Sequence, residues 1–162
     1  MPDICIRTDE KEKLFFELFE ERCDYLNIQN ITEFFHEVDY SSMDLNNKNI
    51  LGYDLKEVLV CHFPFYSIYV DKSGIVYPCD HMYGDMDIGD LNENSLYDIW
   101  NGKKLKNLFI DLLTKHTINL PICKNCTNAK CYTNKYDYLD DCIDDLLKNI
   151  INKVRKTLCI LI

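Results

Sequence analysis

Four cysteines in two clips are the residues of this chain whose type and spacing could do chemistry. Cys61 and Cys79 bracket an alternating apolar run, a turn at Asp71-Lys72-Ser73-Gly74 and a short second strand ending at Pro78. That pattern predicts a β-hairpin, and a hairpin folds back until its two ends, here two thiols, stand side by side. Cys123-Lys-Asn-Cys126 offers a second pair. Two intervening residues let the chain turn while both sulfurs face one side, and N–H groups of such a turn can bond to the sulfurs. Four thiolates from two clips make a tetrahedral set that suits zinc or an iron–sulfur cluster, and the spacing leaves the metal open. A zinc ribbon fits less well, because it takes Cys-x-x-Cys from both knuckles. A thioredoxin-like motif should open a helix after a strand, and Thr127-Asn-Ala-Lys-Cys131-Tyr132 is a weak helix start.

The elements that must position these clips follow from periodicity. Ile4–Arg7 is apolar enough for a strand, and Thr8 precedes Asp9 and Glu10 as an N-cap before Leu14, Phe15, Leu18, Phe19 and Cys23 at helical spacing. Tyr25–Gln29 alternates like a second strand, so residues 4–29 read as strand, helix, strand. Residues 30–60 read as a polar connector with one short element near Thr32–Glu37, and His36 within it as a surface histidine. After the hairpin, Ile88–Leu91 reads as a sharp turn, and Asn94 or Ser95 caps a helix through Leu96, Ile99 and Trp100. Trp100 and Leu96 are expected in the core. Gly102 breaks the helix, a second one carries Leu105, Leu108, Phe109, Leu112 and Leu113, and Pro121 stops it. Cys123–Cys131 forms a knuckle. From about Tyr136 to Leu158 the apolar steps of three and four predict a long amphipathic helix, acidic at its start and basic near its end, as the helix dipole favours. Asp140-Asp141 and Asp144-Asp145 read as its solvated face.

Composition bounds the partners. The chain has 162 residues and a formal charge of −9, which argues against nucleic acid or an anionic membrane surface. No apolar run approaches the roughly 18 residues of a membrane span. The N-terminus becomes charged before any apolar stretch develops, so no secretory signal is expected and the expected location is cytoplasmic. There, nine cysteines are better explained by metal ligation than by disulfides.

The ordered motifs of residues 61–126 resemble a SPASM/twitch domain, the auxiliary iron–sulfur module at the C-terminus of many radical SAM enzymes. Its hairpin runs Cys, nine to fifteen residues, Gly, four residues, Cys, matching Cys61, Gly74 and Cys79. Its Gly-Asn-hydrophobic and Ser-Leu-x-Glu-Ile-Trp-Asn segment is similar to Gly89, Leu91, Ser95-Leu96 and Ile99-Trp100-Asn101. Its closing Pro-x-Cys-x-x-Cys matches Pro121, Cys123 and Cys126.

The resemblance implies one [4Fe-4S] cluster on Cys61, Cys79, Cys123 and Cys126. The family's two-cluster version needs Cys-x2-Cys-x5-Cys-x3-Cys, which is absent, although Cys131 is an alternate ligand to consider. Cys5, Cys23, Cys142 and Cys159 read as buried small hydrophobes. His62 and His81 flank two ligands, either tuning the cluster or facing solvent. The resemblance further implies an α+β architecture: residues 1–60 as a remnant of the last barrel βα unit with its connector, 61–131 as the SPASM/twitch-like domain, and 132–162 as the C-terminal amphipathic helix. Radical SAM enzymes hold their catalytic cluster with Cys-x3-Cys-x2-Cys, which this chain lacks. It is therefore expected not to cleave SAM alone. It looks like the C-terminal part of such a protein, its partner a radical SAM barrel subunit or that enzyme's peptide or small-molecule substrate. All-cysteine ligation would leave no open iron, favouring electron transfer or a structural role. Two other readings stay open: the same thiolates could hold a structural Zn²⁺ in an interaction domain, or the site could be a remnant that binds no metal.

Overall fold

The computed structural model describes residues 8–33, 38–43, 45, 47–80, 86–121 and 123–160, with side chains through Asn152. Ile4–Arg7, His36, His81 and Cys5 lie outside the described residues, as does the side chain of Cys159. The described part is a small α+β arrangement: a three-stranded antiparallel sheet beside a layer of helices.

Helix α1, Asp9–Phe19, starts where the sequence places it, with the Thr8 hydroxyl accepting the Lys11 N–H at 3.3 Å. A 3₁₀ turn, Glu20–Arg22, ends it. Phe15 is buried, whereas Leu14 and Leu18 are exposed. Cys23 is also exposed rather than in the core. The second strand expected over Tyr25–Gln29 does not form: residues 25–28 are irregular. Within the expected stretch only Gln29 takes part in a bridge, and a single bridge does not make a strand ladder. In the connector, Lys48 and Asp54 pair in an antiparallel bridge around Asn49. The Asn49 side chain is buried, accepts the N–H groups of Leu51 and Tyr53 and donates to the Thr133 carbonyl. It ties this loop to the far end of the chain.

The hairpin forms with a correction. The stretch after Cys61 begins not with a strand but with a one-turn helix, α2, Phe63–Tyr66, which has Pro64 in its first turn. Proline suits that position, where its missing N–H is not needed. Only then come β1, Tyr69–Val70, and β2, Ile75–Tyr77, paired Tyr69 to Tyr77 and Val70 to Val76. Their turn uses Gly74 at φ +89°, while Asp71 Oδ1 accepts the Ser73 and Ile75 N–H groups. Ile88–Leu91, expected as a bare turn, holds a third strand, β3, Gly89–Asp90, pairing with β2.

Gly89 has a packing reason. A Cβ there would stand 2.6 Å from Ile99 Cγ1 and 2.8 Å from its Cδ1. Gly89→Ala should destabilise the chain by about 1–3 kcal/mol through overpacking, and Ile99→Ala in the same chain should recover part of it. Urea midpoints of the single and double variants check this.

Ser95 caps α3, Leu96–Trp100, accepting the Asp98 N–H at 3.2 Å. The core residue of α3 is Ile99, with Trp100 half-buried against the core and Leu96 exposed, which corrects the expected pairing of Trp100 with Leu96. Gly102 separates α3 from α4, Lys103–Lys115, which buries Leu105, Leu108, Leu112 and Leu113. That helix ends at His116, whose φ of +60° reverses the chain, and not at Pro121. The stretch judged a weak helix start makes α5, Asn128–Tyr132. A 3₁₀ turn, Asp140–Cys142, then leads into α6, Ile143–Ile160, later than the expected start near Tyr136. Cys142 is exposed rather than core. Ile143, Leu146, Leu147 and Ile150 pack onto the core that α4 contributes. Val60, Val76, Cys79, Ile88, Ile99 and Cys123 complete it. No helix among the described residues is long and apolar enough to cross a membrane.

Candidate metal centre

Two of the four candidate thiols lie within the core itself. Cys79 is 8% exposed and Cys123 is 6% exposed. Cys61 is half-buried and Cys126 exposed. The second clip is a tight turn, in which the Cys126 N–H donates to the Cys123 carbonyl at 2.9 Å and the Cys123 N–H to the Leu120 carbonyl at 3.0 Å. The first clip departs from the sequence argument. The β1–β2 ladder begins at Tyr69, so strand pairing does not itself bring Cys61 to Cys79. Instead the one-turn helix α2 stands between Cys61 and β1, and Cys61 packs against the core that holds Cys79.

The thiols share one electrostatic neighbourhood. Burial pushes the Cys61 thiol well above its ordinary range, and ionised Cys79, Cys123 and Cys126 would each raise it further. Burial likewise pushes Cys123 up to about 12, with Cys79 and Cys126 adding to the effect. Cys126 is exposed as a residue, yet partial desolvation of its sulfur still raises the thiol, with Asp80 and Cys131 adding to the effect. Like charges in a low-dielectric site disfavour one another, which is the condition a bound cation relieves. Two backbone donors already face the sulfurs: the Phe63 N–H bonds to Cys61 and the Asn128 N–H to Cys126, each opposing the upward shift. Such N–H donors to sulfur are a recurring means of tuning iron–sulfur sites. Among the described residues, no three His, Cys, Asp or Glu side chains are drawn in closely enough to hold a metal ion as they stand. The four thiols are thus neighbours, spaced more widely than a closed ligand set. In identity, burial and backbone donors they fit an iron–sulfur group.

The surrounding residues sort themselves by geometry. His62 is 2% exposed, so it does not face solvent. Its ring stacks on Phe63 and Tyr66, with centroids 4.5 and 5.7 Å away, and its Nδ1 lies 3.2 Å from the Thr133 hydroxyl. Because that hydroxyl donates to the Ala129 carbonyl, Nδ1 carries the proton and donates to Thr133. Burial lowers the His62 pKa, partly offset by Asp137. No sequence signal marked Thr133 as this partner. Cys131, the alternate ligand, is buried beside the Thr32 hydroxyl at 3.0 Å and near enough to Cys126 to raise it. A separate cleft of about 350 Å³, lined by Tyr53, Lys56, Lys130, Thr133, Lys135 and Tyr138 among others, includes none of the four cysteines.

The small α+β unit holds two thiols in its core, a third packed against it and a fourth one turn from Cys123, a donor set of the type that cysteine-based metal-binding modules use. Residues 61–127 match the SPASM family, described as an iron-sulfur cluster-binding domain. The matched stretch opens on Cys61 and closes one residue past Cys126, so it spans all four candidate thiols and leaves out Cys131. No curated protein and no solved structure gives a significant match to the chain.

Proposed function

We propose that this chain carries one [4Fe-4S] cluster on Cys61, Cys79, Cys123 and Cys126, as the C-terminal part of a radical SAM/SPASM protein. The observation that carries the ligand set is that Cys79 and Cys123 lie in one core with Cys61 packed against it, inside a stretch that matches an iron-sulfur cluster-binding domain and also holds Cys126. Bound there, the cluster would supply one-electron redox chemistry, and full cysteine ligation directs it toward electron transfer or positioning of a substrate. The barrel that cleaves SAM would come from a partner subunit or another part of the protein, and the acidic surface gives nucleic acid no purchase.

The test is anaerobic reconstitution of the full chain with ferrous iron and sulfide, followed by iron and sulfide assays and visible absorbance. A brown protein with iron and sulfide in equal amounts is expected. A colourless protein that takes one zinc ion in preference would establish the structural-zinc reading instead.

A further inference from the structure

We propose that Asp140 and Thr117 are positioning residues for the Cys61 thiol. Between them they hold three consecutive backbone amides and so fix where that sulfur stands. The proposal rests on the reading of Cys61 as a cluster ligand. Residues 59–61 belong to no helix or strand, so their N–H groups have no ladder to join and need other acceptors. The Leu59 N–H donates to Asp140 Oδ2 and the Val60 N–H to Asp140 Oδ1, both at 3.0 Å. The Cys61 N–H donates to Thr117 Oγ1 at 3.0 Å, and the Thr117 N–H returns a bond to the Leu59 carbonyl at 2.7 Å. One carboxylate thus spans two amides in a charge-assisted pair, and one threonine grips the segment by both side chain and backbone.

The holders are themselves on fixed elements. Thr117 opens the 3₁₀ turn Thr117–Asn119 after α4, and Asp140 opens the turn before α6, and these two helices pack on each other. Val60 is fully buried in the same core. On the other side of Cys61, the His62 ring is bonded to Thr133. The thiol therefore stands between restraints on both sides. Asp140, read from sequence as part of a solvated acidic face, is half-buried and faces inward to these amides. Groups that orient a ligand from behind commonly set the properties of a metal site as strongly as its exposed surroundings do.

The variants are Asp140→Asn, which keeps the size but offers a single acceptor oxygen, Thr117→Val, which keeps the shape and offers none, and Thr117→Ser, which restores the hydroxyl. In the metal-free full chain, Asp140→Asn should speed hydrogen exchange at the Leu59 and Val60 amides, and Thr117→Val at Cys61. Alkylation of Cys61, followed by peptide mass spectrometry, should change several-fold in both and return to the wild-type rate in Thr117→Ser. After reconstitution at matched iron content, Asp140→Asn and Thr117→Val should shift the reduction potential and the electron paramagnetic resonance spectrum, again with Thr117→Ser restored. Unchanged Cys61 alkylation, or a lowered melting temperature with wild-type potential and spectrum, would make these residues plain structural staples and overturn the proposal. Should Asp140→Asn fail to fold, Thr117→Val against Thr117→Ser decides alone. Failure of the wild-type chain to take up iron and sulfide would defeat the cluster reading, and the alkylation series would still decide whether Asp140 and Thr117 hold the thiol.

Discussion

Cys79→Ser and Cys123→Ser should each abolish cluster assembly in the reconstituted chain. These are the two most enclosed thiols of the set. A serine hydroxyl at either place has nearly the same size, so the metal-free fold should survive, but it does not ionise at neutral pH and is a hard, poor ligand for iron–sulfur chemistry. Loss even of groups that merely support a ligand costs metal affinity about 10–100-fold, and loss of a ligand itself should cost at least as much. Bound iron and visible absorbance should therefore fall by roughly tenfold or more. Cys23→Ser and Cys142→Ser are the controls, since both thiols are exposed and lie outside the matched stretch. Retention of full iron and sulfide by Cys79→Ser and Cys123→Ser would remove both residues from the ligand set.

Leu112→Ala should be the most damaging substitution that touches no thiol. Leu112 is fully buried, as is Leu105 about two turns earlier on α4. The helix packs against both α2 and α6, and Leu112 belongs to the buried core, so truncating it leaves a hole among buried neighbours. Truncations of this kind cost about 2–5 kcal/mol, the cavity adding to the lost transfer energy. In a chain of this size that corresponds to a melting temperature lower by roughly 5–15 °C. Leu14→Ala on the exposed face of α1 should change stability by less than about 0.5 kcal/mol. Thermal unfolding followed by circular dichroism compares the two. Equal effects would mean that α4 is not the spine of the core.

What the sequence made legible was local and chemically marked. Thr8 and Ser95 were readable as caps because a hydroxyl before a helical stripe has few other uses. Asp71–Gly74 was readable as a turn because glycine at positive φ and an aspartate bonding onward are strong local signals. The four cysteines stood out by spacing. What stayed hidden depended on neighbours distant in the chain. Phe63 and Phe65 alternate as strand residues would, yet α2 forms because Phe65 stacks on Phe109 of α4, with centroids 4.6 Å apart, a contact no short window contains. Gly89–Asp90 are poor strand formers, and they pair only because β2 offers an open edge beside them. Cys23 and Cys142 lie on stripes that periodicity calls apolar, but both are exposed among the described residues. The same limit concealed Thr133 and Asp140, whose roles exist only across separations of 71 and 81 residues.

The separation between Asp140 and Leu59 bears on the order in which the chain leaves the ribosome. All four candidate thiols emerge by residue 126, while the carboxylate that holds the amides ahead of the first emerges only at residue 140. A nascent chain paused between those points presents every candidate thiol while the first clip is loosely held. Contacts that close long loops are slow to form. Loading of the site should then follow release of the C-terminal segment rather than accompany translation of the cysteines, and cell-free synthesis stalled just after residue 127 should give chains that take up iron far more slowly than the full-length product.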